Sequence, residues 1–148
     1  MIKEQMSMFE QTLTSQGLLS SLQYLNRRVK HRFTAVFRLD KSELSIVHLI
    51  DKLNDPSTRP LSPVPFTHSF CELVMQEGAM MTSNSTLDAR FDGRFSQGAV
   101  VAYVGLPLVK SGGGLYGSLC HLDYQENRIS NDEFSFLQDV VSVIPPYL

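Results

Sequence analysis

Apolar and polar positions alternate along residues 100–110 and 115–123, and this period of two predicts a pair of β-strands. The four residues between them, Ser-Gly-Gly-Gly, supply the positive φ angles that a tight hairpin turn needs. With Lys110 opposite Leu115, one face is mainly aliphatic and the other mixes small and polar side chains. The aliphatic face comprises Val104, Leu106, Leu108, Leu119 and His121, and the mixed face comprises Tyr103, Gly105, Pro107, Tyr116, Ser118, Cys120 and Leu122. We expect the first face to pack against helices and the second to form a wall of a small-molecule cavity.

Helical spacing of apolar residues predicts two consecutive helices at the start of the chain. The first covers residues 2–15 and ends near Gly17. The second begins at Leu18 and finishes in a basic cluster, which suits the negative end of the helix dipole and is expected to be solvated. The stripe of the first helix comprises Ile2, Met6, Phe9 and Leu13, that of the second comprises Leu18, Leu22, Leu25 and Val29, and the basic cluster comprises Arg27, Arg28 and Lys30.

The middle of the chain predicts a second hairpin, from residues 33–39 and 43–52. One face of its second strand would carry Leu44, Ile46, His48 and Ile50. Residues 53–65 hold four prolines, which is typical of a loop. Residues 66–76 then predict a short helix that Gly78 stops, and residues 79–82 predict a short strand. Residues 83–98 have no clean period.

A capping box of Ser130 and Glu133 opens a last helix, which two prolines end. Its stripe comprises Phe134, Leu137, Val141 and Ile144, with Val140 alongside. The order of elements predicts one α+β domain over residues 1–148, in which an antiparallel sheet lies between a helical layer and a loop-rich layer.

Composition narrows the classes of function. The 148 residues are 43% hydrophobic and carry a formal net charge of −2, as in an ordinary single globular domain. Positive and negative charges are interspersed, so we expect no nucleic-acid partner. No apolar run is long enough to span a bilayer, so we expect no membrane partner. The first residues lack the apolar core of a signal peptide, and we therefore expect a cytoplasmic protein.

Candidate chemistry is sparse. The four histidines, His31, His48, His68 and His121, fall in separate predicted elements without metal-ligand spacing, so we expect neither a metal site nor a bound cofactor. Cys71 and Cys120 are far apart and form no CxxC pair, which indicates reduced thiols.

Four segments, in sequence order, resemble those of a GAF domain. They are residues 69–74 (Ser-Phe-Cys-Glu-Leu-Val), 88–91 (Asp-Ala-Arg-Phe), 103–108 (Tyr-Val-Gly-Leu-Pro-Leu) and 116–123 (Tyr-Gly-Ser-Leu-Cys-His-Leu-Asp). The resemblance implies a profilin-like antiparallel sheet of five or six strands, with the terminal helices on one face. It also implies a pocket on the other face, enclosed by a short helix and loops. Relatives bind cyclic nucleotides, bilins, haem, nitrate or other small molecules, and many dimerise through terminal helices, but the fold does not fix the ligand.

The pocket is predicted between the mixed face of the 100–123 hairpin and a cover formed by residues 66–71 and 91–95. Tyr103 and Ser118 would orient a ligand by hydrogen bonds, and free N–H groups at a helix start near Phe66 would favour an anion or a carbonyl oxygen. The candidate ligand-binding residues are Phe66, Ser69, Phe70, Cys71, Phe91, Phe95, Tyr103, Gly105, Ser118 and Cys120. Two alternatives stay open: Tyr103 merely packs under the loop, and the phenylalanines merely plug the loop onto the core.

These features favour a non-catalytic sensor or regulatory module that acts in signal transduction through a protein partner or a homodimer. The dimer would form through the helix at residues 1–16, joined by the second or last helix, with surplus apolar surface from Met6, Met8 or Phe9. The alternative is a thiol-based enzyme or redox sensor similar to the free methionine-R-sulfoxide reductases, with Cys71 activated by a helix start and His68. A ligand-free dimerisation scaffold is the third hypothesis, and a cavity filled by phenylalanine rings would favour it.

Overall fold

One antiparallel sheet organises the protein in the computed structural model, which describes residues 2–57 and 63–148. Residues 58–62 of the expected loop and the side chain of Ile2 lie outside the described part. Within it, six strands follow the order β3-β2-β1-β6-β5-β4. The strands are β1 (Phe33–Asp40), β2 (Glu43–Asp51), β3 (Val64–Pro65), β4 (Met80–Thr82), β5 (Ala102–Val109) and β6 (Leu115–Asp123), and the helices are α1 (Ile2–Gln16), α2 (Leu18–Arg27), α3 (Phe70–Glu77) and α4 (Asn131–Val143). The predicted α+β architecture is therefore confirmed.

Three helices, α1, α2 and α4, cover one face of the sheet. Their apolar stripes form a single hydrophobic cluster with Leu106 and Leu119 of the central hairpin, whose side chains are almost fully buried. Burying a leucine or phenylalanine side chain contributes roughly 1.5–3 kcal/mol, so this layer is a main source of stability. Phe9, expected as surplus surface, is fully buried here, whereas Met8 is 56% exposed.

The β5–β6 hairpin has the predicted register through most of its length. Gly105 pairs with Cys120 and Leu106 pairs with Leu119. The register shifts beside the turn, where Val109 rather than Lys110 lies opposite Leu115. Tyr116 is the extra residue of this bulge and packs against the helical cluster, so its predicted place on the mixed face is wrong.

A second bulge divides the predicted apolar face of β2. Phe37 pairs with Ile46, but the preceding residue of β1 pairs with His48, so Val47 is extra. Ile46 therefore packs on the α3 side of the sheet and Ile50 on the helical side. The prediction that these residues share one face is wrong, because one inserted residue reverses the alternation of side chains.

Helix α2 ends at Arg27, earlier than its apolar stripe predicted, and its basic end is not simply solvated. The Nε and Nη2 atoms of Arg28 donate to the two carboxylate oxygens of Glu133, over 3.1 and 2.8 Å. The same guanidinium lies 4.1 Å from the ring centroid of Phe136, a fully buried residue that the predicted stripe of α4 omitted. Arg28 thus connects the end of α2 to the start of α4 through an ion pair and a cation–π contact.

Helix α3 begins at Phe70 and not near Phe66, because Ser69 is its N-cap. The hydroxyl of Ser69 accepts from the backbone N–H of Glu72 over 3.0 Å, and the carboxylate of Glu72 accepts from the backbone N–H of His68, also over 3.0 Å. Gly78 ends the helix as predicted, with φ of 89°. The predicted anion-binding helix start at Phe66 is therefore wrong, and the true start carries its own acceptors.

Candidate functional site

A small cavity lies on the face of the sheet opposite α1, α2 and α4, under α3 and β3. Its volume is about 20 Å³, room for about one water molecule. The lining residues are Phe37, Leu44, Val64, Ser69, Phe70, Cys71, Phe95, Ser96, Tyr103 and Ser118. The cavity thus lies between the β5–β6 hairpin and the segment around Phe70 and Phe95, and aromatic and aliphatic side chains fill most of the space.

The structure brings six of the predicted site residues to this cavity: Ser69, Phe70, Cys71, Phe95, Tyr103 and Ser118. The other four lie behind or beside the lining. Phe91 is fully buried behind Phe70, Cys120 is buried opposite Gly105 on β6, and Phe66 packs half-buried at the edge of the same cluster. Strand alternation alone did not identify Phe37, Leu44 or Val64, because their contribution depends on the order of the strands.

An aromatic group supports the cavity wall. The rings of Phe70 and Phe91 meet edge to face with centroids 4.8 Å apart, and Phe70 meets Tyr103 in the same way at 5.1 Å. The Tyr103 ring folds back over Gly105, where a side chain would collide with it. Edge-to-face contacts of this kind stabilise aromatic pairs by about 0.5–1.5 kcal/mol beyond burial, so Tyr103 is held firmly in the wall.

One polar atom of the wall lacks a well-formed hydrogen bond. The Ser118 Oγ atom is buried and makes no hydrogen bond of good geometry among the described residues, although the Cys71 thiol and the Tyr103 hydroxyl lie close enough for weak polar contacts with it. The hydroxyl of Ser69, in contrast, donates to the carbonyl of Phe66 over 2.6 Å and caps α3. A buried hydroxyl without a good hydrogen bond lowers the stability of a protein by about 1–3 kcal/mol. The Ser118 hydroxyl can therefore bind a ligand, whereas the Ser69 hydroxyl is already used to cap α3.

Both thiols are buried and protonated at neutral pH. Burial raises the pKa of Cys71 to about 11, against a smaller lowering by the Ser118 hydroxyl. Burial also raises the pKa of Cys120, and the neighbouring Cys71 raises it further. The expected activation of Cys71 by a helix start and His68 is therefore outweighed by desolvation.

The larger depressions of the surface lie elsewhere. A groove of about 540 Å³ separates the end of α2 from the start of α4, and its walls include the paired Arg28 and Glu133. None of the sequence-predicted site residues lines it. We consider the small cavity the better candidate because its wall combines burial with a polar atom that lacks a well-formed hydrogen bond.

Two further features bear on the classes of function. Among the described residues, no group of three or more His, Cys, Asp or Glu side chains is arranged to hold a metal ion. In the same part of the chain, no helix has the length and apolar character that crossing a membrane requires.

Comparison with known proteins identifies the fold. No protein-family sequence model matches the chain, and no curated protein matches it in sequence. A GAF domain of the phosphoenolpyruvate-protein phosphotransferase from Acinetobacter superposes with a TM-score of 0.77 at 15% identity, over 99% of this chain and 91% of that one. The corresponding GAF domain from Coxiella burnetii gives 0.73 at 14% identity, over 99% and 91%.

The same fold also occurs in an enzyme. The free methionine-R-sulfoxide reductase from Neisseria meningitidis, solved with its substrate, has a TM-score of 0.76 at 11% identity, over 99% of this chain and 87% of that one. This protein therefore has the GAF fold that its sequence motifs resemble. At these identities the likeness extends to the fold and not to an activity.

Proposed function

We propose that this GAF-fold chain is a non-catalytic regulatory module that binds a small molecule between its sheet and α3, and that it acts in signal transduction through a protein partner or a homodimer. The buried Ser118 hydroxyl in the cavity wall, which makes no well-formed hydrogen bond among the described residues, carries this proposal. A protein gains little stability from such a hydroxyl, whereas a ligand that hydrogen-bonds to it gains affinity and orientation.

The described lining residues indicate the class of ligand. They are aromatic, aliphatic, hydroxyl-bearing or thiol-bearing, and none of them is charged. Transferring a charged group into such surroundings without a partner is costly. We therefore propose an uncharged ligand with an apolar body and one hydrogen-bonding group that meets Ser118, with Tyr103 beside it.

Binding of anything larger than a few atoms requires the cavity to enlarge. Phe95 lines the cavity yet is 46% exposed, so its ring is the wall element with the least packing to lose. Phe70, 2% exposed and packed against Phe91 and Tyr103, is far more firmly held. We propose that the ligand takes the place of the Phe95 ring.

A thiol-based enzyme is a weaker proposal. A nucleophilic cysteine reacts as the thiolate, and the pKa of Cys71, raised to about 11 by burial, leaves almost none of it at neutral pH. A zwitterionic substrate such as free methionine sulfoxide also needs charged partners, and the described lining residues offer none.

A ligand-free regulatory scaffold is the second candidate. The observation that favours it is the cavity volume of about 20 Å³, which the surrounding aromatic rings leave nearly filled. The ligand-binding module and the ligand-free scaffold are both non-catalytic functions, and they differ in whether Ser118 binds a ligand.

The test uses two pairs of probes, each an uncharged molecule and a related molecule with ionic groups: benzyl alcohol with benzoate, and dimethyl sulfoxide with zwitterionic methionine sulfoxide. Calorimetry and thermal unfolding of the wild type should detect the uncharged member of at least one pair. Ser118→Ala, which removes the hydroxyl without adding volume to the nearly filled cavity, should weaken that binding by about tenfold, and Ser111→Ala in the exposed hairpin turn should leave it unchanged. Tighter binding of the ionic members would overturn the proposed ligand class, and binding that Ser118→Ala does not weaken would overturn the site.

A further inference from the structure

Two histidines are buried together on the helical side of the sheet, away from the cavity. His31 precedes β1 and is 0% exposed, and His121 lies in β6 and is 2% exposed. Their ring centroids are 5.9 Å apart with the planes tilted by 38°. Both nitrogens of His31 and the Nε2 atom of His121 have no hydrogen-bond partner among the described residues. A buried polar group without a partner calls for an explanation, and here three such atoms adjoin one another.

A chain of hydrogen bonds leads to this pair from the end of β2. Lys52 Nζ donates to Asn26 Oδ1 over 2.9 Å, and Asn26 Nδ2 donates to Thr34 Oγ1 over 2.8 Å. An ammonium group can only donate, so Lys52 fixes which way the Asn26 amide faces. Thr34 Oγ1 lies 2.6 Å from His121 Nδ1.

The direction of this chain determines the tautomer of His121. The Thr34 oxygen accepts from Asn26, and His121 Nδ1 is the acceptor that the described contacts of Thr34 offer for its hydroxyl proton, so we assign Thr34 as the donor to Nδ1. His121 Nδ1 is then the acceptor, and the ring proton resides on Nε2. A buried N–H donor is left facing the neighbourhood of His31, whose neutral ring offers one donor and one acceptor.

We propose that His31 and His121 together form a binding site for one buried water molecule, held in a fixed orientation by the Lys52–Asn26–Thr34 chain. Water can accept from His121 Nε2–H and donate to the unprotonated nitrogen of His31, because it both donates and accepts. A metal ion would have to displace the proton from His121 Nε2, and the nearby Lys52 ammonium opposes its charge.

The charged groups that face the pair agree with a neutral ligand. The Lys52 ammonium opposes a cation at both rings, and Asp123 opposes an anion at His31. The Asp123 carboxylate is itself occupied, since it accepts from the backbone N–H of Arg32 over 3.1 Å and from Asn127 Nδ2 over 2.8 Å. The Lys52 ammonium and the Asp123 carboxylate are therefore both held by other partners and do not serve as ligands in the site.

The first test reads the tautomer from imidazole ¹⁵N chemical shifts. In the wild type we expect His121 to carry its proton on Nε2, with Nδ1 as the acceptor. Thr34→Val keeps the side-chain shape but removes the donor, and should shift the ring toward the Nδ1–H form or a mixture. Thr34→Ser keeps the hydroxyl and should preserve the wild-type signature. A wild-type ring protonated on Nδ1 would overturn the proposal, and this readout needs no variant.

The second test counts long-lived internal water by magnetic relaxation dispersion. His31→Phe should lose one such molecule relative to the wild type, whereas the matched His48→Phe on β2 should lose none. An equal count in His31→Phe would contradict the site. Zinc chloride titrated into the wild type should produce no 1:1 complex, and a complex that His121→Gln abolishes would show that the pair binds metal instead.

Discussion

The ring of Tyr103 lies over the backbone of Gly105, two residues along the same strand. A Cβ atom placed on Gly105 would stand 2.5 Å from Tyr103 Cε2 and 2.6 Å from Cζ. Glycine is thus required here by a close approach, because the backbone of Gly105 is in the ordinary extended region. This contact sets the position of the ring in the cavity wall.

Gly105→Ala should therefore destabilise the protein by about 1–3 kcal/mol, as an overpacked core does. Urea unfolding measures the effect. In a Tyr103→Ala background the same substitution should cost little, since the ring it collides with is absent. An equal cost in both backgrounds would show that Gly105 serves another purpose.

Stability should fall on mild acidification because two histidines are buried uncharged. Desolvation lowers the pKa of His31 to about 4 and that of His121 to about 3, with Lys52 lowering both further and Asp123 opposing the shift at His31. The unfolded chain binds protons below about pH 6.5 and the folded chain does not, so stability is greatest above that pH. We expect a loss of roughly 2 kcal/mol for each histidine between pH 7 and 5.

Denaturant unfolding at pH 5, 6 and 7 measures this loss, in a range above most carboxyl titrations. His31→Phe should remove about half of the pH dependence, and His48→Phe should leave it intact. Equal stability of the wild type at pH 5 and 7 would refute the assignment of buried, neutral rings.

The thiols should react slowly. With burial raising the pKa of Cys71 to about 11, alkylation by iodoacetamide at pH 7 should be far slower in the folded protein than in urea. Cys71→Ser and Cys120→Ser separate the two sites. A fast reaction of Cys71 with a midpoint near pH 7 would revive the thiol-enzyme hypothesis.

A homodimer through α1 remains a prediction. Met8 on α1 and Leu19 on α2 are 56% and 47% exposed, so each of these two helices presents a large apolar side chain to the surface. Sedimentation at about 20 µM should find a dimer that Met8→Lys dissociates. Leu87→Lys, at another exposed apolar position, is the control and should leave the dimer intact. A monomeric wild type at this concentration would contradict the prediction.

Local patterns predicted the parts of the fold that local rules govern. Most of the central hairpin has the predicted register, and Ser130 caps α4 as its sequence indicates. The bulges at Val47 and Tyr116 were missed because each depends on how a strand fits its neighbour. The start of α3 was visible in the spacing of Ser69 and Glu72, but the prediction began the helix at Phe66, before this capping pair.

Strand alternation predicted only the part of the candidate site that lies on the β5–β6 hairpin. Tyr103 and Ser118 face the cavity because alternation within the hairpin places them on the same face. Phe37 joins them because β1 pairs with β6, with Phe37 opposite Ser118. That pairing joins strands distant in the sequence, and so no local pattern predicted it. For the same reason, the sequence did not predict that the rings of His31 and His121 lie side by side.

Native mass spectrometry of freshly purified protein, repeated after incubation with a cell extract of small molecules, measures ligand binding itself. We expect the wild type and Ser111→Ala to carry the added mass of one small uncharged molecule. Ser118→Ala, which adds no volume, should lose most of that added mass while its fold and assembly persist. A wild type that never gains mass, or a bound molecule that Ser118→Ala retains in full, would contradict a ligand-binding site beside Ser118.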